Sequence, residues 1–569
     1  MGGGSSRHQR RSTKRDAKTS ESRAGKEQSP KAVASAAMQS QDILEVKVNV
    51  SDLKDGQMCQ VEFDGVEERA LLIRQNGSLH ALGSKCTHYG APLAKGCLGN
   101  GRIRCPWHGA CFNVATGDIE DFPGLDSLQK FEVEETDGGK FGIIRASKKA
   151  LTTSRRVKTM SPLVLSDDNR TFFIIGGGPA SVVCAETLRQ EGFKGRIVIA
   201  TKESVLPYDR PKLSKALHFK AEEILLRPSS FYHDNNIEIL LEKEATKVDV
   251  NAHSVTFADG SSLHYSALVL ATGGKPRKLP IPGFDLKNVF LLREPWQANS
   301  IAEASTDKNV VIIGTSFIGM EVAAYLVDKA KSVTCVDVCD IPFARILGNR
   351  VGLSIQKMHE EKGVKFELSA GVREFVGEDG KIKSVTLPSG KVLEADICVV
   401  GVGVVPATDF LKGSGVPMSE RGEVIVNEFM EACEDVYACG DIVRFPLPLV
   451  GSTASIGHWQ IAHNHGRIAG LSMLGKKTPF NSIPFFWTQM YGKSIRYCGF
   501  ALNWDEIVYE GSPEDGKFAA FFVKDNRVMA TCTLGSDPVA AVIAELMYQD
   551  QLPAADQIKA NPDLIKSLL

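Results

Sequence analysis

The chain has 569 residues, 43% of them hydrophobic and 24% charged, a globular balance that excludes wholesale disorder and a fibrous protein. This length is too great for one hydrophobic core, so three or four compact units are expected. The net charge at pH 7 is -1, yet residues 1–31 hold nine Lys and Arg against three Asp and Glu. The rest of the chain is therefore acidic, and no nucleic acid partner is predicted. Apolar runs fall short of the ~20 residues of a membrane span, which predicts a soluble protein.

Residues 1–42 are rich in Ser, Gly, Arg and Lys, and we predict that they form a disordered basic tail. Gly2 and Ser6 fit the short myristoylation pattern, in which case the basic residues would add peripheral membrane contact. An Arg- and Ser-rich leader poor in acidic residues also fits a mitochondrial transit peptide. A plain solvated tail is the third interpretation, and the sequence leaves all three open.

Short alternating apolar runs between turns predict a small antiparallel β domain from Val46 to Ala146. After Thr171, apolar runs alternate with helical patterns, which is typical of parallel sheets covered by helices. The predicted fold is multidomain: an all-β domain, an α/β two-dinucleotide-binding fold with one sheet nested in the other, and a small α+β domain. The predicted parts are the tail (1–42), the β domain (43–148), a linker (149–170), a first dinucleotide-binding domain (171–285 and 407–480), a second (286–406) and the C-terminal domain (481–569).

Two Cys–His pairs stand out among the thirteen cysteines. Cys86-Thr87-His88 and Cys105-Pro106-Trp107-His108 form C-x-H and C-x-x-H with sixteen residues between them. Tetrahedral zinc is one interpretation of two thiolates and two imidazoles. Zinc fingers usually group the two Cys and group the two His, whereas each loop here supplies one of each. A Rieske [2Fe–2S] cluster needs that arrangement, with two thiolates on one iron and two imidazoles on the other.

The residues around these pairs, Cys-Thr-His-Tyr-Gly-Ala-Pro-Leu and Cys-Pro-Trp-His-Gly, resemble the signature of Rieske ferredoxin domains. The resemblance implies that Cys86 and Cys105 ligate one iron and that His88 and His108 ligate the other. It also implies that the two imidazoles lie at the exposed side of the cluster. We therefore predict that electrons leave through His88 and His108 toward a partner.

Two glycine loops follow apolar strand patterns. The first is Gly176-Gly177-Gly178-Pro179-Ala180-Ser181, and the second is Gly314-Thr315-Ser316-Phe317-Ile318-Gly319. In a G-x-G-x-x-G turn the first two glycines admit a pyrophosphate at a helix N-terminus, and the third allows close helix–strand packing. Because Ser181 takes the third position of the first loop, we expect slightly looser packing there.

The ends of the second strands separate the two nucleotide sites. Asp337 ends the strand of the second unit, where a carboxylate accepts ribose hydroxyls and repels a 2′-phosphate, so NADH is favoured over NADPH. In the first unit the acidic residue is Glu203, displaced by one position, and Lys202 takes its place, which leaves the ribose contact there open. Two further motifs, Ala271-Thr272-Gly273 and Gly440-Asp441, complete the order found in two-dinucleotide flavoprotein reductases. They assign FAD to the first site, with Asp441 placed to accept from the ribityl chain.

The stretch Leu206-Pro207-Tyr208-Asp209-Arg210-Pro211-Lys212-Leu213-Ser214-Lys215 resembles the FAD-contacting segment of the apoptosis-inducing-factor family and of bacterial ferredoxin reductases, with their glutathione-reductase-like fold. With the Rieske signature in front, residues 43–569 resemble Rieske-bearing members of that family. The resemblance implies that Arg210 and Lys215 contact FAD, that Glu321 pairs with Lys215, and that Phe317 lies where nicotinamide stacks. It also implies that Trp459 and Trp487 line the flavin site. The predicted catalytic residues are therefore Lys215, Glu321 and Phe317.

Each of these assignments has a structural alternative. Phe317 could be part of a helix core, Lys215 and Glu321 a surface ion pair, and the two tryptophans simple packing. A redox disulfide is not expected at the flavin, because a C-x₄-C after the first loop and a C-x-x-C in the second domain are both missing. The predicted enzyme is an NAD(P)H-dependent oxidoreductase that passes electrons from NADH through FAD to the Rieske cluster of the same chain. The final acceptor is an unknown protein or small molecule.

Other functions and the location stay open at this point. A cell-death effector or redox-sensing partner protein with little turnover is the main alternative, since the family resemblance implies a link to apoptosis. A reductase component that feeds an oxygenase is the third, although no 2-His-1-carboxylate iron site is recognisable. The resemblance favours the mitochondrion, with the cytoplasm as the alternative, or a membrane if Gly2 is myristoylated. A homodimer also remains open.

Overall fold

A computed structural model of the chain describes residues 43–561 and 564–568. The predicted tail, with Gly2 and Ser6, lies outside these residues. Within them, no helix combines the length and the hydropathy that a membrane crossing requires. The described chain forms a β domain, two nested α/β domains and an α+β domain in that order, which confirms the predicted fold class.

The β domain contains two antiparallel sheets. Side chains alternate between exposed and partly buried along Ile43–Asn49, and between partly buried and buried along Phe141–Ser147. Its elements are β1 (Ile43–Asn49), β2 (Gln57–Phe63), β3 (Val66–Gln75), β4 (Ser78–Gly83), β5 (Cys97–Leu98), β6 (Arg102–Arg104), β7 (Cys111–Asn113), β8 (Ile119–Asp121), β9 (Lys130–Thr136), β10 (Phe141–Ser147) and α1 (Lys148–Thr152). The larger sheet has the order β1-β10-β9-β4-β3-β2. The smaller sheet, β5-β6-β7-β8, is inserted between β4 and β9, next to both Cys–His loops.

The first α/β domain is built around a parallel sheet whose central strands are buried on both faces. Its elements before the insertion of the second domain are β11 (Thr171–Ile175), α2 (Pro179–Gln190), β12 (Arg196–Ala200), α3 (Lys212–Lys215), α4 (Ser229–Asp234), β13 (Ile237–Leu240), β14 (Ala245–Asp249), β15 (Ser254–Phe257), β16 (Ser262–His264), β17 (Ala267–Leu270) and β18 (Gly274–Pro276). The apolar run of β11 is buried, and the first glycine loop joins it directly to α2.

The second α/β domain repeats this plan with the second glycine loop between a central strand and a helix. Its elements are β19 (Val289–Leu291), α5 (Pro295–Ala304), β20 (Asn309–Ile313), α6 (Phe317–Leu326), β21 (Ser332–Val336), α7 (Ala344–Leu347), α8 (Asn349–Glu360), β22 (Lys365–Glu367), β23 (Glu374–Glu378), β24 (Lys381–Thr386), β25 (Val392–Glu394), β26 (Ile397–Val400) and β27 (Val404–Pro406). The parallel sheet has the order β19-β26-β20-β21-β22. The antiparallel pair of β18 and β27 marks where the chain leaves the first domain and returns to it.

The returning chain completes the first α/β domain. It forms β28 (Val424–Ile425), β29 (Glu431–Cys433), β30 (Val436–Ala438), β31 (Val443–Leu447), β32 (Ser452–Ala454) and α9 (Trp459–Met473). Strand β30 pairs with β17 and gives the sheet order β13-β12-β11-β17-β30-β29. Helix α9 packs so closely on α2 that a Cβ on Gly466 would lie 2.2 Å from the carbonyl oxygen of Ala180. The nested arrangement predicted from the two glycine loops is therefore correct.

The C-terminal domain is an antiparallel sheet with helices on one face. Its elements are β33 (Phe485–Met490), β34 (Lys493–Gly499), β35 (Glu506–Ser512), β36 (Lys517–Lys524), β37 (Arg527–Leu534), α10 (Val539–Tyr548), α11 (Ala555–Ala560) and α12 (Leu564–Ser567). The sheet order is β33-β34-β37-β36-β35, so β33 is an edge strand. This edge lies against the β domain, where a Cβ on Gly109 would come within 2.7 Å of the Phe485 ring.

The predicted linker is docked on the β domain along part of its length. The backbones of Arg156 and Ser127 exchange two hydrogen bonds of 2.8 and 2.9 Å. The Arg156 guanidinium donates to the Leu128 carbonyl oxygen at 2.9 Å, and the Arg155 guanidinium donates to the His88 carbonyl oxygen at 3.3 Å. Two basic residues of the predicted linker, Arg155 and Arg156, therefore bind the β domain.

Candidate active site

A cavity of about 680 Å³ is lined by residues of both α/β domains and of β33. Most of the predicted FAD contacts line it. They are Gly176, Gly178, Pro179, Ala180, Lys202, Glu203, Arg210, Lys215, Ala271, Thr272, Gly273, Gly440, Asp441, Trp459 and Trp487. The second glycine loop and its helix add Phe317, Ile318 and Glu321. Residues far apart in sequence thus meet in one space.

The first glycine loop suits a bound pyrophosphate. Gly176 has a φ of +124°, and a Cβ there would lie 2.1 Å from the carbonyl oxygen of Ala271, so a side chain is excluded. Gly178 is the N-cap of α2 and Pro179 follows at the first helical position, and no side chain caps this helix end. The first N–H groups of α2 are therefore available to an anion in the cavity.

Ser181 takes the third position of the first loop, where slightly looser packing stays a prediction. It is fully buried, and its hydroxyl has no hydrogen-bond partner in the described part of the chain. The close approach of α2 is made to α9, where Gly466 supplies the clearance. The small serine side chain is accommodated because the most crowded contact of this helix lies elsewhere.

The displaced carboxylate of the first unit is held in the cavity wall. Glu203 accepts hydrogen bonds from the Arg210 guanidinium at 2.5 Å and from the Tyr208 hydroxyl at 2.8 Å. Lys202 also lines the cavity, but it is exposed. The acidic group of this nucleotide site is therefore Glu203, one position beyond the usual one.

Arg293 is a cavity residue that the sequence analysis missed. It follows β19, and its guanidinium would be 2.8 Å from a Cβ on Gly273. Burial and then the neighbouring Arg210 lower the pKa of Arg293, while Asp441 opposes that shift. Burial also raises the pKa of Asp441, against the pull of both guanidinium groups. Two cations and a helix N-terminus give the cavity the positive charge that a dinucleotide diphosphate requires, so the residues present fit FAD.

Lys215 and Glu321 form an ion pair in the cavity wall. The Lys215 Nζ lies 2.8 Å from Glu321, whose side chain is only 3% exposed. The same carboxylate accepts from the Ser214 hydroxyl and, at 2.5 Å, from the Thr488 hydroxyl. The interpretation as a surface ion pair is therefore wrong. Ser214 and Thr488 were not singled out in the sequence, because no motif marks a hydroxyl that serves a distant carboxylate.

The second glycine loop meets the cavity at Phe317, the first residue of α6. Its ring lies 4.9 Å, between centroids, from those of Phe343 and Phe486, and it also lines the cavity. Phe317 therefore packs against other aromatic rings and also faces the cavity. Gly319 is buried, and a Cβ on it would lie 2.0 Å from the Gly314 carbonyl oxygen. Gly314, Ser316, Gly319 and Asp337 lie outside the cavity lining.

Asp337 ends β21 beside the second glycine loop. One of its oxygens accepts from the Thr315 N–H at 2.6 Å and from the Thr315 hydroxyl at 2.8 Å, and the other accepts from the Cys339 N–H at 2.9 Å. Burial raises the pKa of Asp337, but the N–H groups of Cys339 and Thr315 outweigh burial and hold that pKa below its ordinary value. A fixed negative charge therefore stands beside the loop at neutral pH.

We expect Asp337→Ala to narrow the preference for NADH over NADPH by about 10-fold, because the carboxylate that repels a 2′-phosphate is gone. The same change removes the anchor of Thr315 and should raise KM for both nucleotides. Asp337→Asn keeps the acceptor oxygen and removes only the charge, so it separates the two effects. The ratio of kcat/KM for the two nucleotides checks this, and an unchanged ratio in both variants would count against the role of Asp337.

The two Cys–His pairs lie on neighbouring loops after β4 and β6. The Nδ1 atoms of His88 and His108 are 3.1 Å apart, and the thiols of Cys86 and Cys105 are hydrogen-bonded to each other. Two imidazoles bound to one metal through bonds of about 2.0–2.1 Å bring their nitrogens to this separation. In residues 43–561 and 564–568, no group of three His, Cys, Asp or Glu could hold a single metal ion. Two adjacent pairs suit a two-iron cluster better than zinc.

The loops supply what such a cluster needs besides its ligands. Backbone N–H groups donate to each sulfur, those of His88 and Tyr89 to Cys86 and those of Trp107 and His108 to Cys105. Burial lowers the pKa of His108 to about 3 and holds the pKa of His88 well below its usual range. Both imidazoles are therefore neutral, the form that ligates iron, and the residues present fit a [2Fe–2S] cluster.

The imidazoles are less exposed than the resemblance implied, since His88 is buried and His108 is partly buried. His88 is only 9% exposed. The Trp487 ring lies 4.2 Å from the His108 ring and 5.5 Å from the His88 ring, between centroids. The Tyr89 hydroxyl donates to Asp209, in the predicted FAD-contacting stretch. The fused domain therefore turns its His edge toward the flavin cavity, and the electron exit through the imidazoles stays a prediction.

A buried polar network holds the β domain in this position. Arg104 is fully buried and donates to Glu545 of α10 at 2.9 Å, and it also pairs with Asp121 at 3.2 Å. Asp121 in turn accepts from Gln460 at 2.9 Å and from Asn464 at 2.8 Å, both on α9. No local pattern marks these residues, since the partners across the two domains lie 339 to 441 positions apart.

Together the two nucleotide folds, the cavity and the paired loops define a flavin- and NAD(P)H-dependent oxidoreductase that carries a Rieske domain. Three family profiles match the chain: Pyridine nucleotide-disulphide oxidoreductase over residues 170–466, Rieske [2Fe-2S] domain over 45–132 and Reductase C-terminal over 485–569. The cofactors of the enzyme are FAD and a [2Fe–2S] cluster, and NADH is its nucleotide.

The chain belongs to the apoptosis-inducing factor 3 family. It is 46% identical over 514 residues to "Apoptosis-inducing factor 3" of Homo sapiens, an alignment that covers 89% of this chain and 84% of that protein. It is 32% identical to "Rhodocoxin reductase" of Rhodococcus erythropolis, over 68% of this chain and 92% of that one. Among solved structures it is similar to the covalent complex of putidaredoxin reductase with putidaredoxin, with a TM-score of 0.67 and 28% identity over 70% of this chain and 98% of that one.

Proposed function

We propose that this chain carries electrons from NADH through its flavin site to its own Rieske centre and then to a one-electron acceptor. When bound, FAD supplies hydride acceptance and single-electron release, and the [2Fe–2S] cluster supplies one-electron transfer. The side chains of this protein form the two cofactor sites, set the charge around each site and fix the distance between the flavin site and the Rieske centre.

Trp487 is the observation that carries this proposal. It lines the cavity on one side, and its ring contacts the predicted iron ligand His108 on the other. Strand β33 fixes its position, since Phe485 two residues earlier packs under the loop at Gly109. The next strand adds Arg496, which donates to the Trp107 carbonyl oxygen at 2.9 Å. One side chain therefore joins the flavin site to the cluster loops without an intervening solvent layer.

The cavity wall is arranged to hold negative charge at the flavin site. Helix α9 begins at Trp459, its first turn lines the cavity, and it carries no acidic residue there. A helix N-terminus stabilises anionic groups placed at its end. The Lys215–Glu321 pair ties the FAD-contacting segment to α6 of the nucleotide domain. This ion pair therefore fixes the position of the FAD site relative to the site of the nicotinamide nucleotide.

Similar proteins support a carrier role. Two relatives, a rhodocoxin reductase and a rubredoxin-NAD(+) reductase, are named for the redox proteins that they reduce. In this chain the Rieske domain lies where it contacts the flavin cavity through Trp487. We infer that the domain serves as a built-in first partner for the reductase.

Anaerobic addition of NADH to the holoenzyme tests the proposal. We expect the flavin to bleach and the EPR signal of a reduced Rieske cluster to appear in the same sample. Dithionite reduction of a second aliquot shows whether the cluster is competent. A bleached flavin beside a cluster that dithionite can reduce but NADH cannot would refute the transfer within the chain.

A role in cell death is supported by the name of the human and mouse relatives, apoptosis-inducing factor 3. We propose electron transfer as the primary function because the contact through Trp487 serves it directly. For the location we propose the mitochondrion, with the cytoplasm as the alternative. Imaging of fusions with and without residues 1–42, and with Gly2→Ala, distinguishes import from acyl anchoring.

A further inference from the structure

The docking that covers His88 and His108 leaves one aromatic side chain exposed above them. Tyr89 is 38% exposed and stacks on the His88 ring, with a centroid separation of 3.8 Å and an angle of 17° between the planes. It also meets the His108 ring edge-on at 5.4 Å. An acceptor that touches Tyr89 is therefore one ring away from both predicted iron ligands.

Tyr89 is held in place from the reductase side. Its hydroxyl donates to Asp209, and the Lys212 ammonium lies 5.5 Å from the centre of its ring. Lys212 pairs with Asp209 at 3.5 Å and keeps a third of its side chain exposed. These contacts join the first cluster loop to the segment that leads into α3, so the docked reductase domain adds to the stacking on His88 in holding the ring.

Cations from two different segments flank Tyr89. Arg155, from the docked linker, is exposed and donates to the His88 carbonyl oxygen at 3.3 Å. It makes no ion pair with a carboxylate among residues 43–561 and 564–568. Lys212 lies in the first α/β domain, and its ammonium forms an ion pair with the largely buried Asp209. The exposed charge around Tyr89 is therefore positive.

We propose that Tyr89, Arg155 and Lys212 form an outlet surface at which the enzyme docks its electron acceptor, a small acidic one-electron carrier protein. This inference rests on the proposed function, because it takes a reduced Rieske centre as the donor. The step moves one electron: the cluster is oxidised by one unit, the metal of the carrier is reduced by one unit, and no bond or proton is exchanged. The surface has the chemistry of such a contact, an exposed ring at the centre with cations at its rim that select an acidic face.

The binding test uses proteins in which both partners are oxidised, so that no electron moves. The probe is the acidic soluble domain of cytochrome b5, titrated calorimetrically against the holoenzyme at low and high salt. We expect binding that weakens with salt and that drops by about 10-fold or more in Arg155→Glu with Lys212→Glu. The matched control is Lys148→Glu with Lys149→Glu, two exposed lysines of α1, which changes the net charge equally and should leave binding unchanged.

The transfer test uses enzyme reduced stoichiometrically with dithionite and mixed rapidly with the same probe. With cytochrome b5, haem reduction should slow by about 10-fold in the Arg155 and Lys212 variant. With the basic cytochrome c as acceptor, haem reduction should be faster in the same variant than in the wild type. Tyr89→Phe, which keeps the ring, should remain close to wild type. Equal binding and equal rates in the outlet variant and the wild type would overturn the inference, as would an equal loss in the α1 control. The transfer test reduces the enzyme with dithionite, so its result does not depend on NADH. A failure of NADH to reduce the cluster would therefore refute the proposed function and not this inference.

Discussion

Trp487→Leu should slow the arrival of electrons at the Rieske centre by about 10-fold, equivalent to about 1.4 kcal/mol on the barrier, because the aromatic contact between the two sites is lost. The indole fills the space between the flavin cavity and the His108 ring. Leucine keeps an apolar side chain but leaves a gap that the surrounding loops do not close. The flavin should bleach with a much smaller change in rate, because the nucleotide loops of the second domain are intact.

Anaerobic stopped-flow absorbance follows the flavin and the cluster separately in this variant. Trp487→Phe retains a ring and should recover most of the lost rate. Trp296→Leu is the control for loss of an indole, since Trp296 lies exposed on α5. A cluster that is reduced at the wild-type rate in Trp487→Leu would show that electrons take another route.

Asp121→Ala should lower the free energy of unfolding by about 3–5 kcal/mol, the usual result of removing one partner from a buried ionic contact. The carboxylate of Asp121 accepts from Arg104 across the sheet and from Gln460 and Asn464 across the domain boundary. Alanine removes the charged acceptor that these buried donors share, while Arg104 keeps Glu545 and the two amides keep the Ser482 hydroxyl. The loss of hydrogen bonds to a buried carboxylate is costly. The contact between the Rieske domain and α9 should then break under milder conditions than those that unfold each domain.

Denaturant unfolding of the wild type and the variant measures the change, with cluster reduction by NADH as a second readout. Asp118→Ala is the matched control, because Asp118 pairs with Arg156 and Lys158 in a partly exposed contact. Its loss should cost at most about 1 kcal/mol. If Asp121→Ala and Asp118→Ala have the same small effect, the buried network does not hold the domains together.

The chemistry-bearing loops were predictable because their signals are local. A Cys and a His two or three positions apart, or a glycine turn after an apolar strand, are requirements that a few neighbouring residues satisfy. The strand runs and the interval between the two glycine loops also predicted the nested sheets, because burial on both faces of a parallel sheet needs continuous apolar runs. Glu203 could be proposed on the same basis, although only the structure shows that it binds Arg210.

What the sequence does not reveal is how the domains meet. Arg104 and Asp121 look like ordinary strand residues, since their partners on α9 and α10 lie hundreds of positions away. Trp487 could be assigned to the flavin site, but its second contact, with His108, depends on the docking of β33. The low exposure of His88 could not be predicted for the same reason, because it depends on the attached reductase and not on the Rieske loops alone.

The central claim is that electrons cross from the flavin site to the Rieske centre within one chain. Its most direct test is the rate of cluster reduction after anaerobic mixing with saturating NADH, measured over a wide range of enzyme concentrations. Transfer within the chain predicts a single first-order rate constant for cluster reduction that does not depend on enzyme concentration. A rate constant that rises in proportion to enzyme concentration would show transfer between separate molecules and would contradict it.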